Sequence, residues 1–509
     1  MHRPLTRQIA PNLAVLLAGA ATALAFAPNS LPLFALLSPA LLWLLLHDQP
    51  PAKALLRGWL FGLGFFGAGV SWVYVSIHTY GNASVVLAAA LTLAFCASLA
   101  LLFALQAWIG ARWFSGRHAW LGFIALWWLF EWLRSWLLTG FPWLYLGYAW
   151  IDTPVNTLAP IGGVWLLSML SLLLAAGSVE ALLRRRLSPL LPGTVLLLIA
   201  LLVPNRWSQT AGEPLQVAVV QPNVPQLMKW DSGYLNSILD QLVDLTEQQP
   251  DADLVVWPEN ALPALYNRIA GRLAPLLQWL ETTDTTLITG LPTATRDLNA
   301  PERVLYHNSL AALGQQTGLY HKRRLVPFGE YVPLEAQLRG LIEFFNLPMS
   351  SFSLPQRELP PLRLGRYAIA SAICYEIAYP ELVRKSARSA ELVLTVSNDT
   401  WFGRSIGPDQ HLQMARMRAL ENGRWVIRGT NNGITALIDP KGKVSAQLPV
   451  DEIGVLRGSI TPMTGQTPYQ RVGVWPVLAL TLLLLLGLLL LRVGAARKHD
   501  RATATGLNH

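Results

Sequence analysis

Long apolar runs fill residues 10–204 and return at 472–491, whereas the stretch between them breaks into short runs divided by turn residues. A helix that crosses a bilayer needs about 20 mostly apolar residues. Proline and glycine punctuation places such segments near 10–27, 31–47, 55–78, 84–111, 119–138, 159–183, 187–204 and 472–491. These predict an α-helical membrane bundle of eight spans, the second and seventh being short and close to a neighbour. Ala25-Phe26-Ala27 has the form of a signal-peptidase site, but Pro28 follows directly and further apolar segments begin at once. The first segment therefore reads as a retained helix.

From residue 215 the pattern changes to short β-rich runs alternating with helical stretches. Strands are predicted at 215–220, 254–257, 286–290, 367–374, 392–397, 425–428 and 434–438, and helices at 263–281, 377–389 and 408–422. The chain then divides into a bundle of seven helices (1–204), a linker (205–214), an α/β domain (215–460), a second linker (461–471), an eighth helix (472–491) and a tail (492–509). The Pro-rich, apolar segment 344–361 reads as an exposed loop able to lie on a membrane or to cover a site.

Composition agrees with two structural classes in one chain, because 52% of the residues are hydrophobic and only 14% charged, against about 25% charged in ordinary soluble proteins. The net charge of +9 does not point to nucleic acid, since no run of five Lys or Arg occurs. It follows topology instead. Arg3 and Arg7, Lys53 and Arg57, Arg112 and Arg117, Arg184 to Arg186, and Arg492, Arg497, Lys498 and Arg501 all fall on one side of an eight-span arrangement. The opposite short loops, 28–30, 79–83 and 139–158, contain no Lys or Arg. Short cytoplasmic loops collect these residues, so both termini are expected inside and the α/β domain outside. Glu131 and Arg134, three apart within one segment, share a helix face and read either as a structural pair or as an intramembrane functional pair.

Two cysteines exclude a disulfide framework and a cysteine-based metal site, leaving Cys374 as the only thiol of the α/β domain. No metal-ligand spacing or nucleotide loop is visible, so no cofactor or metal is expected. Three strand ends carry chemistry: Val255-Val256-Trp257-Pro258-Glu259-Asn260, His321-Lys322-Arg323-Arg324-Leu325-Val326-Pro327-Phe328-Gly329-Glu330, and Ile369-Ala370-Ser371-Ala372-Ile373-Cys374-Tyr375-Glu376. A rigid sheet commonly presents functional groups in this way. Each alone also has a plain explanation, as a buried small hydrophobe, a helix cap or a solvated cation.

Together they resemble the Glu-Lys-Cys triad of the nitrilase superfamily. The run Pro327-Phe328-Gly329-Glu330-Tyr331-Val332-Pro333 and the apolar bundle are similar to bacterial apolipoprotein N-acyltransferases in particular, and the resemblance covers essentially the whole chain. It implies a nitrilase-like αββα sandwich and a two-step reaction in which a phospholipid, typically phosphatidylethanolamine, acylates Cys374. The acyl chain then passes to the α-amine of a diacylated apolipoprotein. It also implies a multi-pass protein of the bacterial inner membrane with its catalytic domain on the periplasmic side. Glu259 is then the base and Lys322 the fixed cation for the oxyanion, with a backbone N–H near Tyr375 assisting. Glu330 and Glu376 match further carboxylates of the family motif, placed to hold Lys322 or the incoming amine. Trp230 matches an aromatic near the site, and 398–403 matches the pattern after the nucleophile strand. The rival expectations are a membrane-tethered amidase using the same triad and a transporter with an inactive binding domain. The first leaves eight spans without purpose, and the second needs more intramembrane charge than Glu131 and Arg134 supply.

Overall fold

The structure is a computed structural model that describes residues 6–204, 206–331 and 351–505. Val332 and Pro333 of the motif, 344–350 of the predicted loop and the end of the tail lie outside the described residues. The chain divides into two compact units: Met1–Ser71 with Ala89–Pro204 and Val474–His509, and Trp72–Ala88 with Asn205–Gly473.

All eight predicted apolar segments of the first unit contain a helix: Thr6–Thr22, Phe34–Leu46, Pro51–Gly69, Val85–Trp113, Ala119–Leu133, Ala159–Arg184, Leu191–Leu202 and Trp475–Thr505. Their lengths depart from eight full spans. Val85–Trp113, Pro154–Arg184 and Trp475–Gly494 are each long and apolar enough to cross a membrane, and Pro51–Gly69 with Val73–Tyr80 makes a fourth if that pair, bent by 63°, counts as one. The remaining apolar helices have 10–17 residues. At 1.5 Å per residue, a helix of about 13 residues covers only about 20 Å of a hydrocarbon layer about 30 Å thick. The fifth segment stops at Leu133 because the next turn serves a loop. Arg134 donates to the carbonyls of Trp143 and Leu144, and Glu131 Oε1 accepts the Leu146 N–H at 2.7 Å. Those two charges brace the aromatic loop 141–147.

Among the described residues of the second unit, Gln209–Thr210 pairs with Met463–Thr464 in a small two-stranded sheet, and twelve further strands form two six-stranded sheets. They are β1 Leu215–Gln221, β2 Leu254–Val256, β3 Thr286–Arg296, β4 Val304–Gly314, β5 Gly318–His321, β6 Leu362–Leu364, β7 Tyr367–Ile373, β8 Leu392–Ser397, β9 Val426–Thr430, β10 Ala436–Ile438, β11 Val444–Gln447 and β12 Gly454–Ile460. One sheet has the order β12-β1-β2-β3-β4-β5 and the other β11-β10-β9-β8-β7-β6. The central neighbours β1/β2, β2/β3, β7/β8 and β8/β9 are parallel.

Strands covered on both faces read as continuous apolar runs rather than alternating ones. In β1, Val217 and Val219 meet Leu394, Val396 and Ile427 between the sheets, while Ala218 and Val220 pack against helices. The helix Tyr266–Thr282 lays Ile269, Leu273, Leu276 and Leu280, an apolar stripe at helical spacing, on the outer face of the first sheet. Val383, Ala387, Ala415 and Ala419, from the helices Pro380–Ala387 and Gly407–Asn422, cover the outer face of the second. The expected αββα order follows. All seven predicted strands are present. Predicted 286–290 runs on to Arg296, because β4 pairs with β3 from Thr286↔Gly314 to Arg296↔Val304.

Candidate active site

β2, β5, β7 and β8 end at the same edge of the sandwich, and within three residues of its end each is followed by a polar group of the site: Glu259, Lys322, Cys374 and Asn398. Beyond β2, the Trp257 N–H still donates to Ile288 O at 2.9 Å before the chain turns through Pro258 and Glu259. That turn lies against β3. A Cβ on Gly290 would stand 2.5 Å from Asn260 N, 2.6 Å from Pro258 O and 2.8 Å from Glu259 Cα, so the strand must carry glycine there.

Glu259 is buried and hydrogen-bonded through both oxygens. Its Oε1 accepts from Lys322 Nζ at 3.3 Å and Asn308 Nδ2 at 2.8 Å, and its Oε2 accepts the Asn398 N–H at 3.0 Å. Lys322, just after β5, is 1% exposed and also donates to Glu330 Oε1 at 2.8 Å. Burial works against its charge, but Glu330 and then Glu259 hold its pKa well above the usual lysine range. Glu330 Oε1 takes a further 2.8 Å bond from Asn308 Nδ2, and its Oε2 accepts the Val326 N–H at 2.9 Å. The cation is thus fixed between two carboxylates, and Asn308 ties those carboxylates together.

Cys374 follows β7 at φ 51°, a left-handed conformation that side chains seldom adopt and that recurs at functional sites. Two side chains hold the surrounding turn. Glu376 Oε2 accepts the Ile373 N–H at 2.8 Å, and His411 Nε2 donates to the Cys374 carbonyl at 3.1 Å. His411 Nδ1 lies 3.1 Å from Asp399 Oδ1, and Arg428 Nη2 donates to Asp399 Oδ2 at 2.7 Å. Burial alone would raise Asp399, but Arg428, with His411 and Ser397, holds it at about 2. Cys374 is half-buried, and its thiol is pushed well above its ordinary value, first by burial and then by Glu259, with Lys322 opposing. Burial and the neighbouring carboxylate thus favour the neutral thiol over the thiolate.

Glu376 does not hold Lys322 or face an open site. Its four acceptor positions are taken by the backbone N–H groups of Arg323 (2.6 Å), Arg324 (3.1 Å) and Ile373 (2.8 Å) and by the Tyr320 hydroxyl (2.8 Å). It clamps the segment bearing Lys322 to the turn bearing Cys374. In Glu376→Gln one oxygen becomes an NH2 that meets donors, so a stability loss of about 1–3 kcal/mol is expected, visible as a lower midpoint in thermal unfolding.

Tyr375 opens the turn after Cys374, its ring packed edge-on to Tyr379 at 5.1 Å between centroids. Trp230, with Tyr331 and Trp401, packs against Leu325 and Phe352 to form an aromatic wall, and the buried Trp230 indole N–H has no hydrogen-bond partner among the described residues. The segment Trp72–Ala88 belongs to this unit. Ser76 Oγ donates to the Trp401 carbonyl at 2.8 Å, and the rings of Tyr80 and Trp401 lie 5.5 Å apart.

The sandwich gathers Glu259, Lys322, Cys374 and Glu330 as the sequence suggested and turns Glu376 into a clamp. Sequence reasoning missed Asn308, which sits on the unpredicted β4, and it missed the buried Lys229 and the His411–Asp399–Arg428 chain. Only the neighbours of Trp230 and the run 398–403 offered any signal for these.

Residues 18–177 match the family model for the apolipoprotein N-acyltransferase N-terminal domain, and residues 216–469 match carbon-nitrogen hydrolase. Apolipoprotein N-acyltransferase of Pseudomonas aeruginosa (strain LESB58) is 48% identical over 492 residues, covering 94% of this chain and 95% of its own. The Azotobacter vinelandii (strain DJ) protein of the same name is 49% identical over 497 residues, covering 96% of each. Among solved structures, an amidase from Nesterenkonia sp. is 20% identical with a TM-score of 0.33, covering 50% of this chain and 92% of that one. Identity at nearly half of all positions, sustained from the apolar first half through the sandwich, means that the chain belongs to the apolipoprotein N-acyltransferase family.

Proposed function

We propose that this chain moves a fatty acyl group from a phospholipid to Cys374, and from there to the N-terminal α-amine of a diacylated apolipoprotein, as the last step of lipoprotein maturation. The observation that carries this reading is the buried Glu259–Lys322–Glu330 cluster at the strand ends beside a thiol on a strained turn. In the first half-reaction the Cys374 proton passes to Glu259 as sulfur attacks the ester carbonyl. Lys322 and the Tyr375 N–H steady the oxyanion. Collapse expels the lysophospholipid alcohol, which takes the proton from Glu259, and leaves a thioester. In the second, the α-amine attacks the thioester carbonyl and yields a proton to Glu259. Collapse then releases the Cys374 sulfur, which takes that proton back.

The donor head group is phosphatidylethanolamine in this reading, and the Trp230 indole N–H, without a partner among the described residues, is available to a substrate oxygen. The chain crosses the bacterial inner membrane eight times, its shorter helices spanning together with adjoining turns. Residues 215–460 form a periplasmic catalytic domain, and both termini are cytoplasmic. The Lys and Arg bias of the short loops supports that orientation.

Purified protein incubated with phosphatidylethanolamine labelled in its acyl chain and a diacylated lipopeptide is expected to place the label on the peptide amine. Label recovered only as free fatty acid, or ammonia released from soluble amides, would replace this reading with hydrolysis.

A further inference from the structure

One buried cation of the catalytic unit plays no part in the two half-reactions. Lys229 ends the short helix Gln226–Lys229, is 2% exposed, and donates from Nζ to the carbonyl oxygen of Glu259 at 2.7 Å. Among the described residues no carboxylate stands within ion-pair distance of it. An ammonium buried against a neutral carbonyl is costly unless negative charge is present or forms close by.

The groups it faces are Glu259 and Cys374. Glu259 in turn binds Lys322, and Lys322 binds Glu330. On its own loop, Asp231 is turned to the Gly233 N–H. Two carboxylates, Glu259 and Glu330, therefore meet two ammonium groups, Lys322 and Lys229, around a neutral thiol. Without Lys229 that set carries one net negative charge before any reaction starts. Attack by sulfur keeps negative charge in the set, first on sulfur and then on the substrate carbonyl oxygen, while Glu259 becomes neutral. A fixed cation beside that path acts most on the state in which charge has moved.

We propose that Lys229 is a positioning and charge-balancing residue of the transfer reaction: anchored on the Glu259 backbone carbonyl, its ammonium offsets the negative charge that develops at Cys374 and the carbonyl it attacks. This rests on the thioester route above. Burial lowers the Lys229 pKa to about 8, with Glu259 and Cys374 opposing the fall. The cation is thus present at neutral pH and lost as pH rises through that value, which gives acyl-enzyme formation a basic limb.

The test measures acyl-enzyme formation from phosphatidylethanolamine alone across pH, and alkylation of Cys374 by iodoacetamide mapped by peptide mass, in the full chain and in Lys229→Met and Lys229→Arg. Lys229→Met is expected to slow both by at least about tenfold at neutral pH, the acylation loss falling in kcat rather than KM. Lys229→Arg, charged throughout, should keep most of the rate and move the basic limb upward. Rates in Lys229→Met within about twofold of the parent, with the limb unmoved, overturn the proposal. If Lys229→Met does not fold, Lys229→Arg decides: a limb left in place overturns it. If the parent forms no acyl adduct, it is the thioester route that fails. Lys229 is then judged by Cys374 alkylation alone, where an unchanged rate in Lys229→Met overturns its role.

Discussion

Cys374→Ala is expected to abolish acyl transfer while the protein still folds and inserts, and Cys374→Ser to leave at most a trace. Removing a covalent nucleophile lowers kcat by roughly 10⁶-fold in enzymes where this has been separated from binding. The fold should survive because the thiol does not hold the turn. The left-handed Cys374 backbone is fixed from outside, by Glu376 on Ile373 N and by His411 on the Cys374 carbonyl. Serine keeps the size but not the chemistry, since a hydroxyl is far harder to deprotonate than a thiol and Glu259 is the only base proposed. Intact-mass measurement after incubation with phospholipid alone should show a hydroxylamine-sensitive adduct in the parent and none in either variant. Full transfer by Cys374→Ala would remove the covalent route altogether.

Strands buried on both faces announce themselves as unbroken apolar runs, and the polar residue that ends such a run is conspicuous. Glu259 and Cys374 were legible for that reason, with Trp-Pro-Glu and Cys-Tyr-Glu adding family context, whereas Lys322 follows the short, unpredicted β5 and was legible from the Leu-Val-Pro-Phe-Gly-Glu-Tyr run after it. Asn308 was not, because β4 mixes exposed and buried positions and gives no clean period. Lys229 carries no distinguishing signal in the sequence, and only folding shows that it is 2% exposed and bonded to the Glu259 carbonyl. Glu376 was legible as a carboxylate near Cys374 but not as a clamp, since three of its four donors come from residues 320–324, far from it in the chain. In the apolar half, hydropathy located every helix. It overestimated the length of some, because the breaks at Gly69 to Trp72 and beyond Leu133 occur inside apolar runs interrupted only by isolated polar residues such as Ser71, Glu131 and Arg134.

Glu259→Gln should lower transfer by about 10²–10⁴-fold, the range for losing a general base, and it should do so in both half-reactions. Formation of the phospholipid adduct and its discharge to a diacylated lipopeptide, followed separately, are expected to slow together. A role in orienting the phospholipid alone would spare the second step. The variant also perturbs the structure in a predictable way. Both oxygens of Glu259 accept hydrogen bonds, Oε1 from Lys322 and Asn308 and Oε2 from the Asn398 N–H, which leaves one position on Oε2 for the proton it takes. A glutamine keeps one oxygen, so its NH2 meets either the Asn398 N–H or the Lys322 and Asn308 donors. A buried donor left without an acceptor costs about 1–3 kcal/mol, so thermal unfolding should shift down while the protein remains folded. Lys322 keeps Glu330 at 2.8 Å and stays charged. The lost activity is therefore assignable to the base rather than to the cation, and Glu259→Gln forming the adduct at the parental rate would take the base role from Glu259.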